Sequence, residues 1–381
     1  MILPGATLGI LGGGQLGRMF VHAATSMGYR VIVLDPNTSS PAGEIAHLHL
    51  QAKYDDAHSL KALAQGCSVI TTEFENVPAE VFEHLEKTCL VSPNARALAL
   101  AQDRIKEKQF AQSLDIPPTP FQAVSSEQDI EKAFSDIGAP MILKTTRLGY
   151  DGKGQAVVKT VQSCIEKWHS LGNVDCVLEK RITLKSEVSV VLARSTTKEL
   201  SFFPVAENVH RDGILFTSTV PAKVSDSMQS LAKASAQKIA EELDYYGVLA
   251  VEFFIDGDGN LYFNEMAPRT HNSGHYTMDA CYTSQFEQQV RAICGLPLGD
   301  TSAHSAVTMV NILGDLWGAK SEQPDWSSIL KDNVKLHLYG KHEARVGRKM
   351  GHFNYLANNS DKQDADTLTH AMDSFKMLST E

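Results

Sequence analysis

The chain opens on a short apolar run, Ala6 to Leu11, that ends in Gly12-Gly13-Gly14. Gln15 to Met27 then sets Leu16, Met19, Phe20 and Ala23 at helical spacing. Tyr29 to Leu34 is a second β-rich run, closed by Asp35-Pro36. Apolar residues recurring every third or fourth position predict a helix, and short apolar runs bounded by turn residues predict strands. Strand, glycine turn, helix, strand makes a βαβ unit with a parallel pair. Cys67 to Thr72 reads as a further strand ending in the polar cluster Glu73, Glu75 and Asn76. Residues 1–97 are therefore expected to form one doubly wound α/β domain.

Pro117-Pro118-Thr119-Pro120 breaks the pattern after a helix predicted over about 96–113. Pro140 to Lys144, Val174 to Lys180 and Glu187 to Arg194 read as strands. Ser225 to Leu243 reads as a long helix with Met228, Leu231, Ile239 and Leu243 apolar. Val248 to Asp256 and Asn260 to Asn264 predict a hairpin turning at Asp256-Gly257-Asp258-Gly259. After Pro297 come short strands and turns to about Met350, then a polar tail from Asn358 that reads as a surface helix.

Composition narrows the function. The 381 residues suit two or three domains, and 43% hydrophobic with 21% charged residues is a globular balance. A formal charge of −10 argues against broad nucleic-acid or membrane-surface binding but leaves small anions open as substrates. No run approaches the roughly 18 apolar residues of a membrane helix. Six scattered cysteines without a CxxC pair suit buried thiols in a reducing compartment, so a cytoplasmic location is expected.

Several clusters carry chemistry. Gly12-x-Gly14-x-x-Gly17, with Asp35 downstream, has the context of a dinucleotide fingerprint. The physics serves any phosphate, because glycines admit close approach and a helix N-terminus supplies N–H donors. A tight turn alone would also need such glycines. A second loop, Gly149 to Gln155, interleaves three glycines with Lys153 and lacks the P-loop pattern, so it suits a flap over phosphates. Glu252 and Glu265 lie on opposite arms of the predicted hairpin, with Asn264 adjacent. Converging oxygens of this kind suit Mg²⁺, and their apolar flanks demand a compensating charge. Ala267 to His275 packs Arg269, His271, Asn272, Ser273 and His275 into one loop. Histidines four apart would suit zinc on a helix, but Pro268 and Gly274 favour a loop that recognises anions. Lys331 to Met350 is locally basic, with six Lys and Arg against Asp332 and Glu343.

These residues together resemble the ATP-grasp enzymes: GYDGKGQ at 149–155, Asn264-Glu265 after a strand bearing Glu252, and Lys144 on an earlier strand. GGGQLGRM at 12–19, EFENV at 73–77, APRTHNSGHYT at 267–277, SQFEQ at 284–288 and YGKHEARVGRKMGH at 339–352 resemble, more specifically, the 5-(carboxyamino)imidazole ribonucleotide synthetase family of purine biosynthesis. The resemblance runs from about residue 7 to 352. It implies an α/β and α+β chain with a Rossmann-like domain (1–97), an ATP-grasp domain (98–298, flap at about 115–180) and a small β-rich C-terminal domain (299–381).

The implied reaction carboxylates aminoimidazole ribonucleotide at the expense of ATP, with bicarbonate activated as carboxyphosphate. Mg²⁺ is the implied metal and a homodimer the implied assembly. The resemblance implies that Arg104, Lys144, Asn264 and Glu265 meet ATP phosphates. Gly149, Tyr150, Asp151, Gly152, Lys153, Gly154 and Gln155 would form the flap. Glu179, Lys180, Arg181, Ile182, Glu187 and His210 would hold adenine and ribose. Glu252 and Glu265 would bind Mg²⁺, and Tyr150, Asp151, Lys153 and Arg269 would reach the reacting centre. The ribonucleotide phosphate would sit among Gly13, Gly14, Gln15, Leu16, Lys341 and Arg348. Glu73, Asn76, Arg269, His271, Asn272 and Ser273 would orient nucleotide and bicarbonate. Two other readings stay open: a related ligase using formate or another carboxylate, and a nicotinamide-dependent dehydrogenase resting on Gly12 to Gly17 and Asp35.

Overall fold

The computed structural model describes residues 1–149, 154–318, 322–331, 333–357 and 366–379. Its first sheet has β1 (Thr7–Leu11), β2 (Arg30–Leu34), β3 (Leu48–Leu50) and β4 (Val69–Thr72) in the order β3-β2-β1-β4, all parallel. The expected βαβ unit is present, with the helix Gln15–Ser26 between β1 and β2. Sequence reading missed β3, whose three residues are too few to show a period. Strand order reverses beside β1, where β4 follows the helices of the crossover. Leu11 pairs with Leu34 on one side and Thr72 on the other. Gly12, Asp35 and Glu73 therefore leave three neighbouring carboxyl ends side by side, the position at which open α/β sheets bind ligands.

The second sheet contains β5 (Phe121–Val124), β6 (Met141–Thr145), β7 (Gln155–Val158) and β8 (Cys176–Lys180), antiparallel in the order β5-β8-β6-β7. Alternation decides what each face does. Met141, Leu143, Cys176 and Leu178 pack under Ile130, Cys164 and Trp168 of two covering helices. Ile142, Lys144 and Glu179 are left to face a cleft.

The third sheet has nine strands: β9 (Leu184–Arg194), β10 (Leu200–Phe202), β11 (Ala206–Arg211), β12 (Ile214–Val220), β13 (Gly247–Asp256), β14 (Leu261–Ala267), β15 (Val307–Leu313), β16 (Val334–Leu338) and β17 (Lys349–Leu356). Its path is β14-β13-β9-β11-β12-β15-β17-β16, with β10 on β9. The short strands after Pro297 thus continue the central sheet through β12 and β15. The tail helix Thr367–Leu378 tucks Ala371 and Leu378 against Val310, Ile312 and Phe353.

Two expectations are corrected. The single helix over 96–113 is two, Ala95–Ala101 and Arg104–Ser113. Asp103 caps the second by accepting the N–H groups of Ile105 and Lys106, at 3.1 and 3.2 Å, and an N-cap takes non-helical dihedrals. Leu231 does not face the core: it is exposed, and Ala232, Ala236, Ile239 and Ala240 line the buried face of its helix. Small side chains let that helix approach the sheet closely.

The helix Gln285–Ile293 ties the layers together. Phe286, Val290 and Ile293 recur at helical spacing and enter the core built by Leu16, Met19 and Phe20 of the first domain. Burial of each contributes on the order of 1.5–3 kcal/mol.

Candidate active site

A cleft of about 1520 Å³ opens where the three sheets meet. On one wall, β6 brings Lys144 and β8 brings Glu179, from strands paired residue by residue. Lys144 Nζ lies 2.9 Å from Glu179 Oε2, and Lys108 Nζ lies 3.3 Å from Glu179 Oε1. All three side chains are buried. Burial pushes the Glu179 carboxyl up, but the charges of Lys144 and Lys108 overcome it and hold it at about 2. Burial pulls Lys144 below its ordinary value, although Glu179 works against that. Sequence reading missed Lys108. Its signal was its place four residues after Arg104 on one helix, which puts both cations on one face.

Arg104 reaches from that helix to Glu265 Oε2 at 3.1 Å and to the carbonyl oxygen of Gly149 at 3.0 Å. Glu265 is the cross-strand partner of Glu252, so the two arms of the hairpin do bring these carboxylates face to face. A bulge follows. Glu252 pairs with Glu265, but Phe253 pairs with Phe263, leaving Asn264 as the extra residue. A bulge re-aims the side chains around it, and Glu252, Asn264 and Glu265 all line the cleft. Burial pushes Glu252 up, Glu265 adds to it, and its carboxyl reaches about 7. Burial also raises Glu265, but Arg104 and Lys144 outweigh it and keep that carboxyl below its ordinary value. Glu252 Oε1 is buried with no hydrogen-bond partner. An orphaned carboxylate oxygen beside a second carboxylate and an amide oxygen is a hard-oxygen donor set that suits Mg²⁺.

Beyond the carboxylates, His210 Nδ1 lies 2.5 Å from Glu187 Oε2, both lining the cleft. Burial lowers His210, but Glu187 and Glu252 prevail and raise it above its ordinary value. Lys180, Arg181 and Ile182 leave the end of β8 and line the same wall. Gln155 pairs with Lys144 across β6 and β7. Gly154 takes a φ of +71°, and a side chain there would meet Thr145 Oγ1 at 2.8 Å. Tyr150, Asp151, Gly152 and Lys153 lie outside the described residues.

The glycine turn meets side chains from the neighbouring strand ends of its own domain. Gly13 N–H donates to Asp35 Oδ2 at 2.7 Å, Gly17 N–H to Glu73 Oε2 at 2.8 Å, and Gly14 N–H to Glu73 Oε1. The chain's own carboxylates thus accept three of the turn's donors. Burial pushes Glu73 above its ordinary value, against the bonds from Gly17 and Gly14 that stabilise its charge. Gln15 and Leu16, at the first positions of the helix, line the cleft, and such N–H groups have no intrahelical acceptor. Lys341 and Arg348 stand with Gly13, Gly14 and Asp35 around an adjoining recess of about 350 Å³.

The loop from Ala267 to His275 closes the other wall. Arg269 pairs with Glu75 at 2.6 Å and faces the cleft with Asn76, His271 and Asn272. His271 Nδ1 lies 2.9 Å from Ser273 Oγ and 3.6 Å from Glu252 Oε1. Burial, then Arg269 and Lys349, drive His271 well below its ordinary value, so it is neutral. One expected contact residue is turned inward, and another lines the cleft with its amide already bonded. Ser273 is fully buried behind His271. The Asn272 amide exchanges two bonds with Asn311, at 3.0 and 2.7 Å. No group of three or more His, Cys, Asp and Glu side chains able to hold a metal forms among the described residues, so His271 and His275 gain no third ligand of those types there.

Sequence comparison fits this geometry. The ribonucleotide synthetase preATP-grasp domain matches residues 5–102, the ATP-grasp domain 109–286, and the phosphoribosylaminoimidazole carboxylase C-terminal domain 307–366. An N5-carboxyaminoimidazole ribonucleotide synthase of Brucella melitensis is 46% identical over 352 residues, 92% of this chain and 96% of the relative.

The chain belongs to the N5-carboxyaminoimidazole ribonucleotide synthase family.

Solved members of that family share its whole architecture. The Staphylococcus aureus N5-carboxyaminoimidazole synthetase complexed with ADP superposes with a TM-score of 0.91 at 39% identity, covering 99% of this chain and 98% of that one. The Aspergillus clavatus enzyme in complex with ADP and 5-aminoimidazole ribonucleotide gives 0.89 at 29% identity, over 98% of both. As an N5-carboxyaminoimidazole ribonucleotide synthase family member, this chain is an ATP-grasp ligase. The dehydrogenase reading falls with that assignment. The glycine turn that suggested it is filled by Glu73 and Asp35.

Proposed function

We propose that the cleft joins ATP, bicarbonate and aminoimidazole ribonucleotide to give N5-carboxyaminoimidazole ribonucleotide, ADP and phosphate. The observation that carries this reading is a single cavity with two chemically distinct walls. Arg104, Lys144, Glu252 and Glu265 line one, and Arg269, His271, Lys341 and Arg348 line the other.

The first wall suits ATP. Lys144 and Arg104 supply positive charge for phosphates, and Lys180 to Ile182 with Glu187 and His210 supply a nucleoside edge. Glu252 and Glu265, with Asn264 beside them, would hold Mg²⁺. When bound, the ion would neutralise charge on the β- and γ-phosphates. A bicarbonate oxygen attacks the γ-phosphorus and the bond to the ADP oxygen breaks, giving carboxyphosphate. The exocyclic amine of the ribonucleotide then attacks the carboxyl carbon. Phosphate leaves with the C–O bonding pair, and the amine loses one proton. Arg269 is set to stabilise the charge of bicarbonate and of the departing phosphate. Neutral His271 beside Glu252 accepts the Ser273 N–H at Nδ1 at 3.3 Å, which leaves Nε2 to carry the ring proton. Gln15, Leu16, Lys341 and Arg348 would receive the ribonucleotide phosphate. Tyr150, Asp151 and Lys153 of the flap would close over the centre, because carboxyphosphate hydrolyses in water.

This reading makes the protein a cytoplasmic homodimer that meets neither nucleic acid nor membrane. Its six free thiols, five of them buried, suit a reducing compartment. Sedimentation of the purified chain tests the assembly. The decisive assay measures phosphate release with each substrate omitted in turn. Release is expected only with bicarbonate and aminoimidazole ribonucleotide both present. Release indifferent to the ribonucleotide, or supported by formate, overturns the reading.

A further inference from the structure

The segment Ser284 to Gln288 contributes no group to the chemistry above, yet its helix carries three buried glutamines, Gln285, Gln288 and Gln289. A buried amide is unfavourable unless both its ends are bonded. Each of these amides finds a different part of the molecule. Gln285 Oε1 accepts the His271 N–H at 2.9 Å, and its Nε2 donates to the His271 carbonyl oxygen at 2.7 Å. Gln288 does the same to Gly299, at 2.8 and 3.0 Å. Gln289 accepts the Val248 N–H at 2.5 Å and donates to Thr71 Oγ1 at 3.1 Å, joining β13 to β4.

Gln285 is the one whose clamp falls on a cleft residue. It bonds both backbone polar groups of His271, as a neighbouring strand would, where the loop has no strand partner. Gln285 Nε2 also lies 3.1 Å from His275 Nδ1. An amide nitrogen only donates, so Nδ1 accepts and the His275 proton sits on Nε2. Gly274 makes room for this: a Cβ there would lie 2.6 Å from Gln285 Oε1. The His271 ring that this backbone carries lies 3.6 Å from Glu252.

We propose that Gln285 is a positioning residue for the carboxylation, holding the backbone of His271 so that His271 and Arg269 stand in register with Glu252. This rests on the reading that the 269–273 loop receives bicarbonate and the ribonucleotide. Gln288 is the internal control, because it makes the same two-bond clamp from the same helix to Gly299, which does not line this cleft.

The test compares Gln285→Met, Gln288→Met and Gly274→Ala with the wild type. The readouts are ADP affinity, kcat and KM for bicarbonate in the phosphate-release assay, and amide hydrogen exchange over 269–275. Gln285→Met is expected to lower kcat/KM for bicarbonate by about 100-fold, the scale of a misplaced reacting group. ADP affinity should stay unchanged and exchange over 269–275 should speed up. Gln288→Met should keep the wild-type kcat/KM. Gly274→Ala, which displaces the amide without removing it, should repeat the selective loss, and it decides the matter if Gln285→Met does not fold. The proposal is overturned if Gln285→Met behaves like Gln288→Met, or if exchange over 269–275 is unchanged. Loss of ADP affinity in parallel with kcat/KM also overturns it. A wild type whose phosphate release ignores bicarbonate defeats the functional reading instead, while the exchange measurement still reads the clamp.

Discussion

Glu252 and Glu265 are direct cross-strand partners, yet their carboxyls are driven in opposite directions. Burial and the neighbouring Glu265 charge raise Glu252, whereas Arg104 and Lys144 hold Glu265 ionised. Two carboxylates this close resist simultaneous ionisation unless positive charge joins them. One is stabilised by protein cations, and the other lacks a hydrogen-bond partner at Oε1. That asymmetry is the structural case for a divalent ion.

Glu265→Gln removes one of the two proposed ligands and also the partner of Arg104. Turnover is expected to fall on the order of 100-fold, and half-maximal phosphate release should need more Mg²⁺. A Mg²⁺ titration of the variant that overlays the wild type would remove Glu265 from the metal site.

The buried Glu179 makes a statement about stability against pH. Its folded carboxyl, at about 2, lies below its ordinary value of 4.5. A depressed carboxyl stabilises the fold above the unfolded pKa and loses that contribution as pH falls toward the folded one. Wild-type stability should therefore drop between about pH 4.5 and pH 2. Glu179→Gln should cost about 3 kcal/mol at pH 7, because two buried lysines lose their counter-ion, and the gap to wild type should narrow across that acid window. Urea melts at a series of pH values check both the sign and the window.

Lys108 is fully buried and donates to the Asn264 carbonyl oxygen at 3.3 Å as well as meeting Glu179. Lys108→Met leaves Glu179 with one ammonium, Lys144, beside the Thr119 hydroxyl, so Lys144 is drawn closer to its counter-ion and away from phosphate. The expected outcome is weaker ATP binding with the KM for bicarbonate unchanged. Isothermal titration with ADP, beside steady-state kinetics, separates the two. Unaltered ADP affinity would leave Lys108 a purely structural cation.

Gly14→Ala would put a Cβ 2.6 Å from Glu73 Oε1, forcing the carboxylate off its two N–H donors. The KM for the ribonucleotide should rise about tenfold, in line with the loss of a charge-assisted hydrogen bond, while ADP binding stays intact. A variant with wild-type ribonucleotide KM would show that Glu73 needs no anchoring at this turn.

Much of the site was legible because its signals are local. The turn at 256–259 announces the hairpin, so Glu252 and Glu265 on facing arms follow from counting, while the bulge at Asn264 that makes them direct partners does not. The βαβ unit follows from periodicity. What counting missed was in one case a local cap and in the other a contact between residues far apart in the chain. The single helix predicted over 96–113 overlooked Asp103 as a cap, and the face assigned to Leu231 ignored which side the sheet would cover.

The sequence by itself determined the βαβ unit, the longer strands, the hairpin that carries the carboxylate pair, the two glycine loops and the family they resemble. Hydrophobic period and turn chemistry act over a few residues and are written in them. Only the tertiary structure decided that Glu73 and Asp35 fill the first glycine turn, since that depends on β2, β1 and β4 ending side by side. It likewise decided that Lys108, Lys144 and Glu179 meet from a helix and two strands, and that Gln285 holds His271. Spacing along a chain carries no record of which strands will become neighbours. The final charge pairing depends on burial, which exists only once the sheets have closed around the cleft.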